Sequence, residues 1–374
     1  MQLYQYQKYP LLCTPLIRML SYSILLKPMV PIYKYVPRFS LRYLTNFLLA
    51  ILLGSVSNVQ AQYEGNNWYF GNTTGITFNS GYAEALTNGQ MIALEGCATM
   101  STKNGRLLFY TDGVSVWDST HTKTPNGSNT LKGSYNSTQA AIIIPHPDSS
   151  GSYYIFTTDL QGGSNGLCYS EYKMRLNSGK GDLVASTLNS QLLSATCERV
   201  TATKHANGRD FWVFANDYGS DTLYAYWITP KGISKIVKQN TGFKVLPPFH
   251  GGTLGYMKIS PDGTKLAYVT NARDTLIIAD LNTTTGLISN IWRVYLNDGY
   301  GLEFSAKSNY LYAASGGNFI IYQFNAKANT ASNFLASRVR IDSTKGTNSP
   351  LSGALQLGPD GKIYTNWAYH YYLG

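Results

Sequence analysis

A polar corner followed by an aromatic-rich apolar run recurs six times along the chain, and this repeat restricts the fold more than any single motif. The copies are "TKNGRLLFYTDG" (102–113), "HPDSSGSYYIFTTD" (146–159), "HANGRDFWVFAND" (205–217), "SPDGTKLAYVTN" (260–271), "SAKSNYLYAASG" (305–316) and "GPDGKIYTNWA" (358–368). With Leu107, Tyr153, Phe211, Leu266, Tyr310 and Ile363 as equivalent points, the intervals are 46, 58, 55, 44 and 53 residues. A unit of about 50 residues with no convincing helix predicts propeller blades of four strands. The unit "GYMKIS", "KLAYVTN", "TLIIADLN", "IWRVYLN" supplies all four, and "GLEFS", "YLYAASG", "FIIYQFN", "FLASRVRI" repeats them. A lone four-stranded sheet leaves both faces and both edges open, whereas blades stacked about an axis bury the faces and leave only short edges.

The predicted fold is therefore an all-β propeller of seven blades, with six or eight as alternatives. The smooth apolar segments "GYMKIS" and "AAIIIP" are expected as inner strands. The last copy stops before its outer strands, and "NNWYFGNTTGITFN" (66–79) lacks a partner before it. This predicts a closing blade shared between the two ends, in a propeller cut short at its C-terminus that natively continues.

The corners themselves read as hairpin turns. Asn104-Gly105, Asn207-Gly208, Asp262-Gly263 and Asp360-Gly361 put a turn-forming residue before a glycine where positive φ is needed. Asp262 is thus expected to bond its own turn rather than to do chemistry. The composition agrees: 44% hydrophobic residues can fill a core, only 13% are charged, and 35 Gly with 30 Tyr suit a turn-rich extracellular β protein.

The formal charge of +10 is unevenly spread. Residues 1–61 carry six bases and no acid, and the remainder balances 24 Lys and Arg against 20 Asp and Glu. No stretch there concentrates bases among aromatics, so nucleic-acid binding is not expected. Within "RFSLRYLTNFLLAILLGSVSNVQAQ", Arg38 and Arg42 precede an apolar core from Phe47 to Val56, and Val59 and Ala61 stand at the −3 and −1 positions. This predicts a secretory leader over 1–61, cleaved after Ala61, with Met29 as an alternative start, and a propeller over 62–374. The apolar core is too short for the roughly 20 residues of a membrane span, so no span is expected after cleavage.

Three cysteines follow the leader, Cys97, Cys168 and Cys197, at spacings that match no metal motif. Buried free thiols are expected, with a Cys168–Cys197 disulfide as the alternative. Among the histidines, His146 and His205 hold equivalent corner positions and are read as serving turn geometry; His121, His250 and His370 carry no motif, and no metal or cofactor is predicted. Glu95 and Glu198 precede inner strands near the opening of the channel, where paired carboxylates could hydrolyse glycosides. The favoured reading is that each satisfies backbone amides or pairs with a base such as Arg199. Ser137, Thr138 and Gln139 in "NSTQAA" are read as a polar ladder between blades. Aromatic faces stack on sugars, and the loop residues Tyr218, Trp367 and Tyr369 are the candidate ligand contacts.

The blocks "NNWYFGN", "EGCATMSTKNGRLLFYTDGVSVWD", "PNGSNTLKGSYNSTQAAIIIPHP", "YYIFTTD", "TATKHANGRDFWVFAND", "GYMKISPDGTKLA", "YGLEFS" and "GALQLGPDGKIY" resemble the N-terminal propeller region of large secreted Bacteroidetes surface proteins. Those proteins often continue into PKD-like domains and end in a gliding-motility-associated, type IX secretion sorting domain. The resemblance spans roughly residues 66 to 368. It implies an exported or outer-surface protein with no enzymatic residues to carry over; neither the PKD-like nor the sorting domain is present in this chain. The expected function is a non-enzymatic interaction module for adhesion, glycan binding or gliding, with an extracellular polysaccharide or surface protein as partner. A carbohydrate-active hydrolase or lyase and a structural spacer are the alternatives.

Overall fold

The computed structural model describes residues 63–245, 250–315, 320–343 and 352–367. The leader, with Met29 and the cleavage point, lies outside the described residues, as do Tyr369 and His370. The fold is an all-β propeller. Six antiparallel blades follow one another: blade I over 67–86 and blade II over 98–118 with three strands each, blade III over 141–193 with five, and blades IV (196–240), V (257–295) and VI (299–343) with four. Ser352–Leu357 and Ile363–Trp367 then form a two-stranded sheet. The blade count is thus six rather than the expected seven, and where the closing blade was expected there is this hairpin. It is not merged with the first strands, which pair among themselves as blade I.

The repeat points chosen on sequence fall at or next to the start of each second strand: Leu107, Ser152, Phe211, Lys265, Tyr310 and Ile363. Every unit closes its corner in the same way. The amides of Thr102, His146, His205, Ser260, Ser305 and Gly358 donate to the carbonyls of Arg106, Ser152, Asp210, Lys265, Tyr310 and Lys362. In the four Asn-Gly and Asp-Gly corners the glycine takes the left-handed conformation, with φ of +77° at Gly105, +74° at Gly208, +71° at Gly263 and +76° at Gly361, and Ser308 takes it in the corner before Tyr310. The Asn or Asp before each glycine keeps negative φ and uses its side chain instead.

That side chain does more than close its own turn. Asp262 Oδ1 accepts from Ser260 Oγ at 2.6 Å and from the amide and hydroxyl of Thr264, while Oδ2 takes Lys327 Nζ of blade VI at 2.7 Å. Partial burial pushes this carboxyl up, but the bonds from Lys327, Ser260 and Thr264 outweigh it and hold the group below the usual range. The blade IV corner is latched to blade V in a similar way, with His205 Nε2 against Thr284 O and Trp212 Nε1 donating to Thr283 O. Corners therefore join consecutive blades.

The core is five hydrophobic clusters, one at each interface between consecutive blades. Tyr69 stacks on Tyr110 between I and II, Phe109 on Tyr172 between II and III. Phe156 meets Val213 and Tyr226 between III and IV, Trp212 and Phe214 meet Leu266 and Tyr268 between IV and V, and Val269 and Ile278 meet Phe304 and Phe324 between V and VI. The ring closes where Tyr364 of the hairpin sets its edge against Trp68 and Phe78 of blade I, 5.6 and 5.5 Å between centroids.

One element departs from expectation. "FLASRVRI" was expected as a strand, but Ala331–Ala336 is a short helix and the strand begins at Val339. Thr330 caps the helix by accepting from the Asn333 amide, and Phe334 stacks on Phe324 at 4.8 Å. Burial of that ring overrides the strand pattern. Among the described residues no helix is long and apolar enough to cross a membrane.

Close approach near the axis yields one prediction. A Cβ at Gly96 would overlap the backbone nitrogen of Ala140 and crowd Ser137 O, the acceptor of the Gly96 amide. Gly96→Ala should lower unfolding free energy by about 1–3 kcal/mol in urea titrations.

Candidate binding site in the axial channel

Inner strands run from the segments that enter each blade to the corners, so residues before a first strand share one end of the axis. Glu95, Ser137 to Gln139 and Tyr256 come from such entrances, and Glu198 and Tyr300 from the opening residues of the first strands of blades IV and VI. Glu198 is fully buried. Its Oε2 accepts from the Thr138 amide at 2.9 Å and the Thr138 hydroxyl at 3.2 Å, and its Oε1 accepts from the Gln161 amide at 2.9 Å. Burial pushes this carboxyl up, opposed by the amides of Thr138 and Gln161 and by the Arg199 charge. Arg199 does not pair with it. The buried guanidinium donates to the carbonyls of Val269 and Gly252 and lies over the Tyr268 ring.

The polar ladder expected at 137–139 is present and reaches further than one neighbour. Gln139 Oε1 accepts from the Met257 amide at 2.7 Å and its Nε2 donates to the Met257 carbonyl, tying the blade III entrance to blade V. Glu198 thus takes the amide-satisfying role expected of it, and Glu95 does not. Glu95 is half-buried and its Oε2 has no hydrogen-bond partner. Burial, then the Glu198 charge, push its carboxyl up to about 7, with the hydroxyls of Tyr300 and Thr138 pulling the other way.

This shift has a consequence for stability. The folded pKa lies above the ordinary 4.5, so the folded chain holds the proton more tightly. The contribution is fully present below 4.5 and is lost as pH rises through about 7. Glu95→Gln should remove that slope, leaving the variant about 2–3 kcal/mol more stable relative to wild type at pH 8 than at pH 4, read by urea melts across the range.

Glu95 opens onto a cavity of about 580 Å³ that follows the inner strands. Thr99, Ile142, Ile144, Val200, Ala202, Lys258 and Ala354 belong to its walls, and Phe211, Tyr364 and Trp68 lie toward the corner end. Among the described residues, two of those lining the cavity are Asp, Glu, Lys or Arg. Lys258 is neutralised by Glu303 at 2.9 Å, donates to Gln356 Oε1 at 2.8 Å, and sits over the Tyr256 ring. Glu95 is the other. Burial pushes the hydroxyls of Tyr256 and Tyr300 well above their ordinary range, so both remain neutral donors.

The residues chosen on sequence are scattered. Tyr218 lies on the loop between the second and third strands of blade IV, its ring against Gly162 of blade III, and is not among the cavity walls. Trp367 ends its strand opposite Ser352. The cysteines are free thiols, with burial pushing Cys97 up to about 12 and Cys168 and Cys197 up to about 11. His146 Nδ1 and His205 Nδ1 each accept an amide two residues on, the turn role expected of them. Tyr256, Lys258, Tyr300, Glu303 and Gln356 were not picked out by sequence. A signal existed: Lys258, Glu303 and Gln356 hold the same repeat position, two residues before Ser260, Ser305 and Gly358.

No protein-family model matches the chain, and no curated protein matches it. Solved propeller structures do. A Lactobacillus plantarum protein is 14% identical at a TM-score of 0.48, covering 78% of this chain and 83% of that one. Kuenenia stuttgartiensis hydrazine synthase is 12% identical at 0.46, covering 81% and 90%. A periplasmic gluconolactonase of Pseudomonas aeruginosa is 16% identical at 0.41, covering 69% and 70%. Likenesses this distant carry no argument about activity.

Proposed function

We propose that the chain is a secreted or outer-surface binding module that holds the end of a glycan in its axial channel without reacting with it. The observation that carries this reading is the cavity of about 580 Å³, with hydrogen-bonding groups at the Glu95 end and aromatic rings at the Trp68 end. That volume suits a ligand of one or two sugar units, which needs donors for hydroxyls and apolar faces for C–H groups. Export is supported by the leader pattern over residues 38–61 and by the resemblance of the repeat blocks to Bacteroidetes surface proteins.

The hydrolase reading is less well supported. Two-carboxylate glycoside chemistry needs both acids to face the scissile bond. Glu198 is turned into the amides of Thr138 and Gln161 and is absent from the cavity walls, so Glu95 lacks its second acid.

Calorimetric titration of the purified chain with short oligosaccharides should give saturable binding. Ala354→Trp, placed on the cavity wall, should abolish it while leaving the melting temperature within a few degrees. Binding unchanged in that variant would place the ligand elsewhere and overturn the channel reading. Surface exposure is checked separately by protease treatment of intact cells, which should degrade the protein while cytoplasmic proteins survive.

A further inference from the structure

We infer that the Glu95 end of the channel recognises a protonated amine, so that the preferred ligand is a glycan bearing a free amino group. This rests on the channel-binding reading and makes it more specific.

The first support is geometric. Among the described residues the cavity wall holds two Asp, Glu, Lys or Arg side chains: Lys258 is already matched by Glu303, and Glu95 has neutral hydroxyls beside it but no basic partner. Its Oε2 is out of solvent and without a hydrogen-bond partner. A buried acceptor in that condition costs free energy until a donor reaches it. The neighbouring hydroxyls do not change this. The Tyr300 and Thr138 hydroxyls act on this carboxyl as neutral donors, Thr138 being shared with Glu198, and Oε2 still lacks a partner.

The second support is charge. The ionisable groups that face Glu95 are Glu198 from blade IV, Cys97 on its own segment, and Tyr256 and Tyr300 from blades V and VI. Among the described residues, none of these is a cation. Arg199 is directed away into the carbonyls of Val269 and Gly252, and Lys258 stays with Glu303 and Gln356. Among the described residues, Arg199 acts on Glu198 from its place among those carbonyls, and no cation pairs with Glu95. A neutral sugar hydroxyl would satisfy Oε2 as a donor but would leave the repulsion from Glu198 in place. An ammonium supplies both the donors and the missing charge, and in a cavity of low dielectric the Coulombic part is large.

A proton must move when this ligand binds near neutrality. Glu95, protonated in part of the free molecules, must give up its proton to accept the ammonium. The proton leaves to buffer, and the amine keeps its own.

The test uses a matched pair of probes, the β-1,4-linked glucosamine dimer and its fully N-acetylated counterpart, titrated calorimetrically into the whole chain at about pH 6, where the amines are charged. The aminated dimer should bind roughly 10- to 100-fold more tightly than the acetylated one. Repeating the titration in two buffers of different ionisation enthalpy should show proton release. Glu95→Gln, which matches the protonated side chain in shape, should erase both the preference and the proton release, so that the two dimers no longer differ in affinity. Equal or tighter binding of the acetylated dimer to wild type overturns the amine inference and leaves the channel reading standing. An amine preference that persists in Glu95→Gln overturns it as well, because the charge would then be read elsewhere. Failure of both dimers to bind overturns the channel reading and the inference together.

Discussion

Glu303→Ala should destabilise the propeller by about 3–5 kcal/mol, the loss characteristic of a buried charge pair broken on one side. Glu303 is almost fully buried, and its two oxygens serve three donors on three separate elements. Oε1 accepts from the Phe304 amide of blade VI at 2.9 Å. Oε2 accepts from Lys258 Nζ of blade V at 2.9 Å and from the Leu357 amide of the closing hairpin at 3.0 Å. Truncation leaves the Lys258 ammonium with only Gln356 and the Tyr256 ring, and strands two amides.

Two further variants separate charge from hydrogen bonding. Glu303→Gln keeps an acceptor and should cost about 1–3 kcal/mol. The double variant Lys258→Met with Glu303→Leu removes the pair and should recover much of the loss, since apolar replacement of a buried pair is often nearly neutral. The measurement is the urea midpoint for the three variants, with hydrogen exchange over 352–367 as the local readout. A Glu303→Ala midpoint equal to wild type would mean that the clamp does not hold the hairpin in the ring.

Much of this architecture was legible in the sequence because a propeller repeats its backbone hydrogen bonds. Any residue able to make the corner after an inner strand leaves the same trace, so Thr102, His146, His205, Ser260, Ser305 and Gly358 could be aligned despite their different chemistry. The hairpin at 352–367 was legible as a repeat, but not that it would stay a separate sheet, because pairing between chain ends depends on register that no local pattern carries. The helix at Ala331–Ala336 was missed since its stability comes from Phe334 stacking on Phe324, a contact made across the blade.

The site was legible in part. Glu95 and Glu198 stood out as acids before inner strands, yet their sequence contexts look alike and their fates differ. Glu198 finds the amides of Thr138 and Gln161, which are 60 and 37 residues away. Glu95 finds no such nest. Nothing within a few residues of either could have said which would be satisfied. The aromatics were chosen for lying on loops, whereas the cavity is walled largely by inner-strand residues such as Thr99, Ile142, Ile144, Val200 and Ala202.

Glu198→Ala should cost about 3–5 kcal/mol and, unlike the Glu303 clamp, should also reset the binding site. The carboxylate holds the Thr138 amide and hydroxyl on one oxygen and the Gln161 amide on the other, all in a region closed to water. Its removal leaves those donors unpaired and frees the segment that carries Gln139, which otherwise bonds the Met257 backbone through both ends of its amide. Glu198→Gln is the discriminating variant. It preserves the volume and one acceptor, so a loss nearer 1–3 kcal/mol is expected, and it removes the charge that helps push Glu95 up. Carbon-13 detected titration of the Glu95 carboxyl should then show its midpoint moving down from about 7 toward the ordinary 4.5 without reaching it, because burial remains the larger cause. An unmoved midpoint would mean that Glu198 exerts no charge on the mouth of the channel, and that burial alone sets the acidity of Glu95.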